Sequence, residues 1–295
     1  MAYAFKQSSG VAGQVRDIAI EQIDKALEAI AASEDFDQTV HTLRKSCKKL
    51  RALLKLVRPV FAEYDAENAA FRAIADRFSV ARDAAVMVQT MSGLVDHASA
   101  RLSAEGVGSL TLLDRLRERA RHLRRQMGEE ELLALAVADF EEARARVPSW
   151  EFDASGTGIV RPGLEAGYRR FRKRLAKARK TPEGEVVHDW RKAAKVWWYH
   201  MRLYERTAPA ILENLCVRLD ELGETLGDHH NLTVLADWIA STRAPGDSSA
   251  DTLLAIIAEQ QAALSEKAFD LGRQFAAEPP AVAAKRFNAY WQLLG

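Results

Sequence analysis

Residues 41–61 read HTLRKSCKKLRALLKLVRPVF, and the spacing of two residue types within them decides the fold. Leu43, Cys47, Leu50, Leu54 and Val57 recur at steps of 4, 3, 4 and 3, the period of one face of an α-helix and not of a strand. On the other side His41, Arg44, Lys48, Arg51, Lys55 and Arg58 recur at steps of 3, 4, 3, 4 and 3, with Lys45 and Lys49 widening the stripe. No Asp or Glu occurs between Val40 and Ala62. Like charges one turn apart repel by about a few tenths of a kcal/mol per pair, and a solvated helix ordinarily relieves this with interleaved carboxylates. Here the relief comes from elsewhere, and the stripe reads as one wall of a polyanion site.

The rest of the chain extends the helical reading. Its 295 residues suffice for one large or two smaller domains. Helix formers dominate, prolines number 8, and no alternating Val/Ile/Thr-rich run is bounded by hairpin signals, so the fold class is all-α. Periodicity predicts helices at about 10–32, 64–79, 81–102, a single long one at 110–146, then 182–206, 209–241, 249–276 and 280–293. Pro59 is expected to stop the cationic helix near Arg58. Thr181-Pro182-Glu183 carries the marks of a helix start, with a capping hydroxyl and a proline at the first position. The Gly- and Pro-rich stretch 148–163 reads as a linker between halves at 1–147 and 164–295.

The net charge of +1 conceals a strong partition. Segments 40–62, 167–182 and 188–206 hold 20 of the 42 Lys and Arg residues but only 2 of the 41 Asp and Glu. A cationic interior inside an acidic exterior produces such a sum and focuses its field on an anionic ligand. One stripe alone is adequately explained as a solvated face; three acid-poor segments in a nearly neutral chain favour a ligand. Cys47 and Cys216 are far apart at apolar helical positions, which fits neither a disulfide framework nor a metal knuckle and suits a reducing, cytoplasmic setting. MAYAFKQSSG has no apolar core segment and no run of 18 apolar residues occurs, so neither secretion nor membrane spanning is expected.

The second half repeats the first. His41, Leu43, Arg44, Lys45 and Lys48 align with His188, Trp190, Arg191, Lys192 and Lys195 at a constant offset of 147. Arg82, Asp83 and Val86 align with His230, Asn231 and Val234 at 148, and Val15, Arg16 and Ile18 with Tyr168, Arg169 and Phe171 at 153. Such a duplication would set four basic helices about one pseudo-twofold axis.

H-x-L-R-K-x-x-K-K-L-R at 41–51, A-R-D at 81–83, H-D-W-R-K-x-x-K-x-x-W-Y-x-x-R-L at 188–203 and L-G-D-H-H-N-L-T-V-L at 226–235 together resemble the paired signatures of the CHAD family, the conserved-histidine α-helical domain. The resemblance covers about residues 10 to 293. It implies two pseudo-symmetric four-helix bundles around a basic pore or groove that binds inorganic polyphosphate, in proteins associated with polyphosphate granules. Two positions depart from the pattern: His229 and Asn231 stand where acids are usual, and Trp198 occupies the repeat position of Arg51.

The residues expected to contact phosphate are Arg44, Lys45, Lys48, Arg51 and Lys55 in one copy and Arg191, Lys192, Lys195 and Arg202 in the other, with Arg82 beside them. Arginine donates bidentate bonds to phosphate oxygens and lysine adds mobile point charge. Arg16, Arg169 and Lys173 are expected to close the remaining walls, and Tyr199 to donate its hydroxyl. His41 and His188 fall on the cationic stripes, where protonation near the ordinary pKa of about 6.5 would strengthen binding in acid. Trp190 and Trp197 read as core.

Other chemistries find little support in the chain. Asp228-His229-His230 invites a metal reading, but adjacent helical residues do not share a face and no third ligand stands at metal spacing. Glu183-x-Glu185 is followed by Val187 where a triphosphatase tunnel needs lysine, and His188-Asp189 lacks the companion motifs of a metal phosphohydrolase. With no P-loop or nucleophile elbow, the expectation is a binding module with no catalytic residue, metal or cofactor. The alternatives are an enzyme of polyphosphate or triphosphate metabolism and a nucleic-acid-binding protein.

Overall fold

A computed structural model describes residues 3–33, 35–104, 109–243 and 246–294. Among these the chain is all-α, with helices α1 (Val11–Ala31), α2 (Phe36–Val57), α3 (Tyr64–Arg77), α4 (Ser79–Ala104), α5 (Ser109–Arg125), α6 (Glu129–Arg146), α7 (Arg161–Lys180), α8 (Gly184–Tyr204), α9 (Pro209–Thr242), α10 (Ser248–Phe275) and α11 (Pro280–Trp291). None is long and apolar enough to cross a membrane.

The cationic stretch forms α2. Asp35 starts it by accepting from the backbone of Asp37 at 2.8 Å and Gln38 at 3.3 Å, which satisfies two otherwise orphaned donors. It ends at Val57, where Arg58-Pro59-Val60 tightens into a 3₁₀ turn. Its predicted apolar stripe, Leu43, Cys47, Leu50, Leu54 and Val57, is wholly buried.

Two boundaries differ from expectation. The predicted single helix 110–146 is two, α5 and α6, broken at Gln126-Met127-Gly128. The break has an electrostatic logic: His122, Arg124 and Arg125 close α5 and Glu129, Glu130 and Glu131 open α6, each complementing a helix dipole. α8 begins at Gly184 with no side-chain cap, so the Thr181 hydroxyl does not serve as one. Within segment 148–163, Trp150, Ile159 and Val160 are buried, and Trp150 stacks obliquely on Phe61 at 5.2 Å between ring centres.

α2 packs on α1, α3, α7 and α8, while α9 runs past α8, α10 and α4. The larger hydrophobic core takes side chains from both sides of segment 148–163, including Phe71, Phe140, Phe171, Trp190 and Trp197. Gly163 permits one close crossing, since a Cβ there would lie 1.8 Å from the Leu56 carbonyl oxygen. A second core joins α4 and α5 to α9 and α10 through Met91, Leu94, Leu116, Leu235 and Ile257. The extended N-terminus closes the far end: Phe5 N donates to Leu203 O at 2.9 Å, and its ring meets Trp291 at 4.9 Å.

Candidate functional site

The α2–α8 contact brings cations of the two repeat copies together. Desolvation, then the charges of Arg191, Arg44, Lys195 and Arg82, push the Lys48 ammonium down to about 8. These neighbours come from α2, α4 and α8. Farther along α2, desolvation and then Arg51, Arg170, Lys192 and Arg58 bring Lys55 to about 8 as well, which extends the positive field to α7. Burial likewise lowers Arg51, Arg82 and Arg191.

The two copies differ in how their charge is compensated. Among the described residues, Lys45, Lys48, Lys55, Arg82 and Arg191 form no ion pair with a carboxylate. Arg44 donates to Ala75 O at 2.6 Å and Arg51 to Asn68 Oδ1 at 3.1 Å, both uncharged acceptors. In the second copy Lys192 pairs with Asp189 at 2.6 Å, and Arg202 with Glu205 at 2.7 Å. Lys195 meets Asp220 at 3.1 Å and Glu224 at 2.6 Å. Trp198, at the repeat position of Arg51, lies under two cations instead of supplying one: Lys195 and Arg202 lie 4.7 Å and 5.8 Å over its ring.

Other expected residues lie apart from this group or contact it differently. Arg16 gives its guanidinium to the Trp150 carbonyl at 2.9 Å and 2.5 Å. Arg169 is exposed and pairs with Glu165 on its own helix. Lys173 lines a separate groove between α7 and α10, beside Arg172 and Arg273. Tyr199 is buried near Asp220, Glu224, Arg202 and Arg191, its ring edge-on to Tyr3 at 6.1 Å, and burial raises its hydroxyl pKa.

Repeat-related histidines meet repeat-related partners. His41 stands in the field of Arg82, whereas His188 stacks on His230 with ring centres 3.8 Å apart. Desolvation and then Arg82, Lys45 and Lys48 lower His41; desolvation, Lys192 and Arg191 lower His188 against the opposing pull of Asp189 and Glu185. Desolvation and cationic neighbours bring His230 to about 4. Protonation near 6.5, expected from the sequence for His41 and His188, is therefore displaced toward acid. Trp190 and Trp197 are buried in the core. Among the described residues no three His, Cys, Asp or Glu side chains are grouped as a metal ion requires.

Arg170 and the α9 carboxylates Asp220 and Glu224 are not singled out by the sequence, and Asp228 enters there only in the rejected metal reading. A signal existed for the acids: steps of four place all three on one helical face. Desolvation, followed by Glu224, raises Asp228, and desolvation raises Asp83 against the pull of Arg44, Arg82 and Lys48. Desolvation also opposes ionisation of Glu224, but its bond from Lys195 and the charges of Lys195, Arg191 and Lys48 outweigh it.

The chain is similar in fold to PptA from Streptomyces chartreusis, with 17% identity, a TM-score of 0.63, and coverage of 93% of this chain and 100% of that one. It is similar also to the CHAD domain from the plant Ricinus communis, at 19% identity and TM-score 0.60, over 95% of this chain and 96% of the other. No curated protein matches in sequence. The family model of the CHAD domain matches residues 15–240, a stretch that contains α2, α8 and the basic group between them. The chain therefore belongs to the CHAD domain family.

Proposed function

We propose that this protein binds inorganic polyphosphate, without chemical turnover, through the cations gathered between α2, α4 and α8. The observation that carries the reading is the set of cations that make no direct ion pair among the described residues, Lys48, Arg82 and Arg191 foremost, drawn from both repeat copies around one locus where Asp83, Glu224 and Asp228 supply only a weaker, more distant counter-field. Clustered cations lacking counter-ions cost stability, and a polyanion offsets that cost while releasing its own condensed counterions. Polyphosphate has no base or sugar to read, so charge, hydrogen bonding and shape suffice for recognition. Arg44, Lys45, Arg51, Lys55, Lys192, Lys195 and Arg202 supply the flanking contacts, and association with polyphosphate granules follows from the same affinity. The resemblance of the paired signatures to a polyphosphate-associated family supports the same ligand.

Titration with chains of defined length tests this directly. Lys48→Gln with Arg191→Gln should weaken binding at least about tenfold and reduce the salt slope by about one unit per lost phosphate contact. Full affinity in a folded double variant would place the site elsewhere. Release of orthophosphate at enzyme-like turnover with a divalent metal would favour the enzymatic alternative. Displacement of polyphosphate by nucleic acid at equal charge would favour the nucleic-acid alternative.

A further inference from the structure

Lys195 is held differently from the cations it faces. Its ammonium contacts Asp220 and Glu224 of α9 directly, whereas Lys48 and Arg191 make no direct ion pair among the described residues and feel Glu224 only through the field. The lysine stem lies close against α9: a Cβ at Gly223 would be 2.7 Å from its Cε, so a side chain there would make the flexible end of the stem shift. Asp220, Glu224 and Asp228 follow one another at steps of four, on one face of α9. α9 thus presents a fixed row of negative charge to the basic group.

Fold stability is a weak reason for this arrangement. The Asp220 and Glu224 side chains are 44% and 71% exposed, and pairs so open to water contribute little to folding. Their consequence for a ligand is larger, because they occupy a cation that points into the group.

We propose that Asp220 and Glu224 are an internal counter-ion for Lys195 that a phosphate chain displaces as it binds. The inference rests on the polyphosphate reading above. The exchange is non-covalent: the two carboxylates return to water as phosphate oxygens take the ammonium. It makes α9 an electrostatic threshold, passed by anions dense enough in charge to engage Lys195, Arg191 and Lys48 together.

The test is Asp220→Asn with Glu224→Gln, titrated calorimetrically with polyphosphate of defined length at fixed salt. Affinity should rise about three- to tenfold, the range expected for releasing two exposed pairs. The same two substitutions in a Lys195→Met background should give less than about a twofold gain, as a double-mutant cycle requires of a coupling that runs through the lysine. Unchanged or weaker binding in the first variant overturns the proposal. Equal gains with and without Lys195 also overturn it, leaving the acids only a general field. The single variants Asp220→Asn and Glu224→Gln, each expected to give a smaller gain, keep the test decisive if the double variant does not fold. Absence of binding by the wild-type chain would instead defeat the polyphosphate reading itself.

Discussion

The imidazole of His200 reaches from α8 to the backbone of α2, its Nε2 3.0 Å from the carbonyl oxygen of Ala52. A carbonyl can only accept, so Nε2 carries the proton. The bond ties one cationic helix to the other in the dry core, and it fixes how the two basic faces meet. Nδ1 is buried without a partner, and a Cβ at Gly167 would lie 2.8 Å from it.

Acid should loosen this joint. Burial brings His200 down to about 4, below the ordinary value of about 6.5 that it regains on unfolding. The unfolded chain therefore takes up the proton first, and stability present above about pH 6.5 is lost as pH falls toward 4. Buried His229 acts in the same direction. The unfolding free energy from urea titrations should decline between pH 7 and 5, by up to about 1.4 kcal/mol per pH unit for His200, with a matching fall in midpoint, and His200→Gln should flatten the decline. A midpoint constant over that range would refute the assignment.

Alkali should weaken the ligand site. Lys48 and Lys55, each at about 8, lose charge between pH 7 and 9, whereas ordinary lysines do not. Polyphosphate affinity at constant ionic strength should fall severalfold over this interval, and Lys48→Arg with Lys55→Arg should remove most of the fall because guanidinium stays charged. Equal pH profiles for wild type and variant would contradict it.

The same lysine should trade stability for binding. Lys48 has a folded-state pKa below its unfolded value, so its charge opposes folding at neutral pH and the penalty fades as pH rises through 8. Solvent screening holds the effect to about 1 kcal/mol. Lys48→Met should raise the melting temperature while lowering affinity. A variant that is both less stable and a weaker binder would point to a packing role.

Gly163→Ala probes the crossing of α7 over α2. The added methyl would meet the Leu56 carbonyl oxygen at 1.8 Å, so the helices must separate. A loss of about 3 kcal/mol or more is expected in denaturant titrations, at the upper end of overpacking costs. A loss below about 1 kcal/mol would mean that the crossing adapts freely.

The chain's own periodicity determined that the stretches from His41 to about Arg58 and about 182–206 are helical, which face of each is apolar and which cationic, and that the two faces repeat. These are local properties, set by 3.6 residues per turn and by side-chain solvation. The break at Gly128 was less legible because mixed charges continue on both sides of it, and Thr181 resembled a cap that the backbone does not use. Tertiary structure alone decided which cations stay unpaired. Arg16 meets a carbonyl, Lys195 meets two carboxylates, and Lys48 meets other cations, although the sequence shows each simply as a basic residue on a helix. Pairing between helices depends on how closely they approach, which for α7 over α2 requires Gly163, where the missing Cβ lets the Leu56 backbone pass.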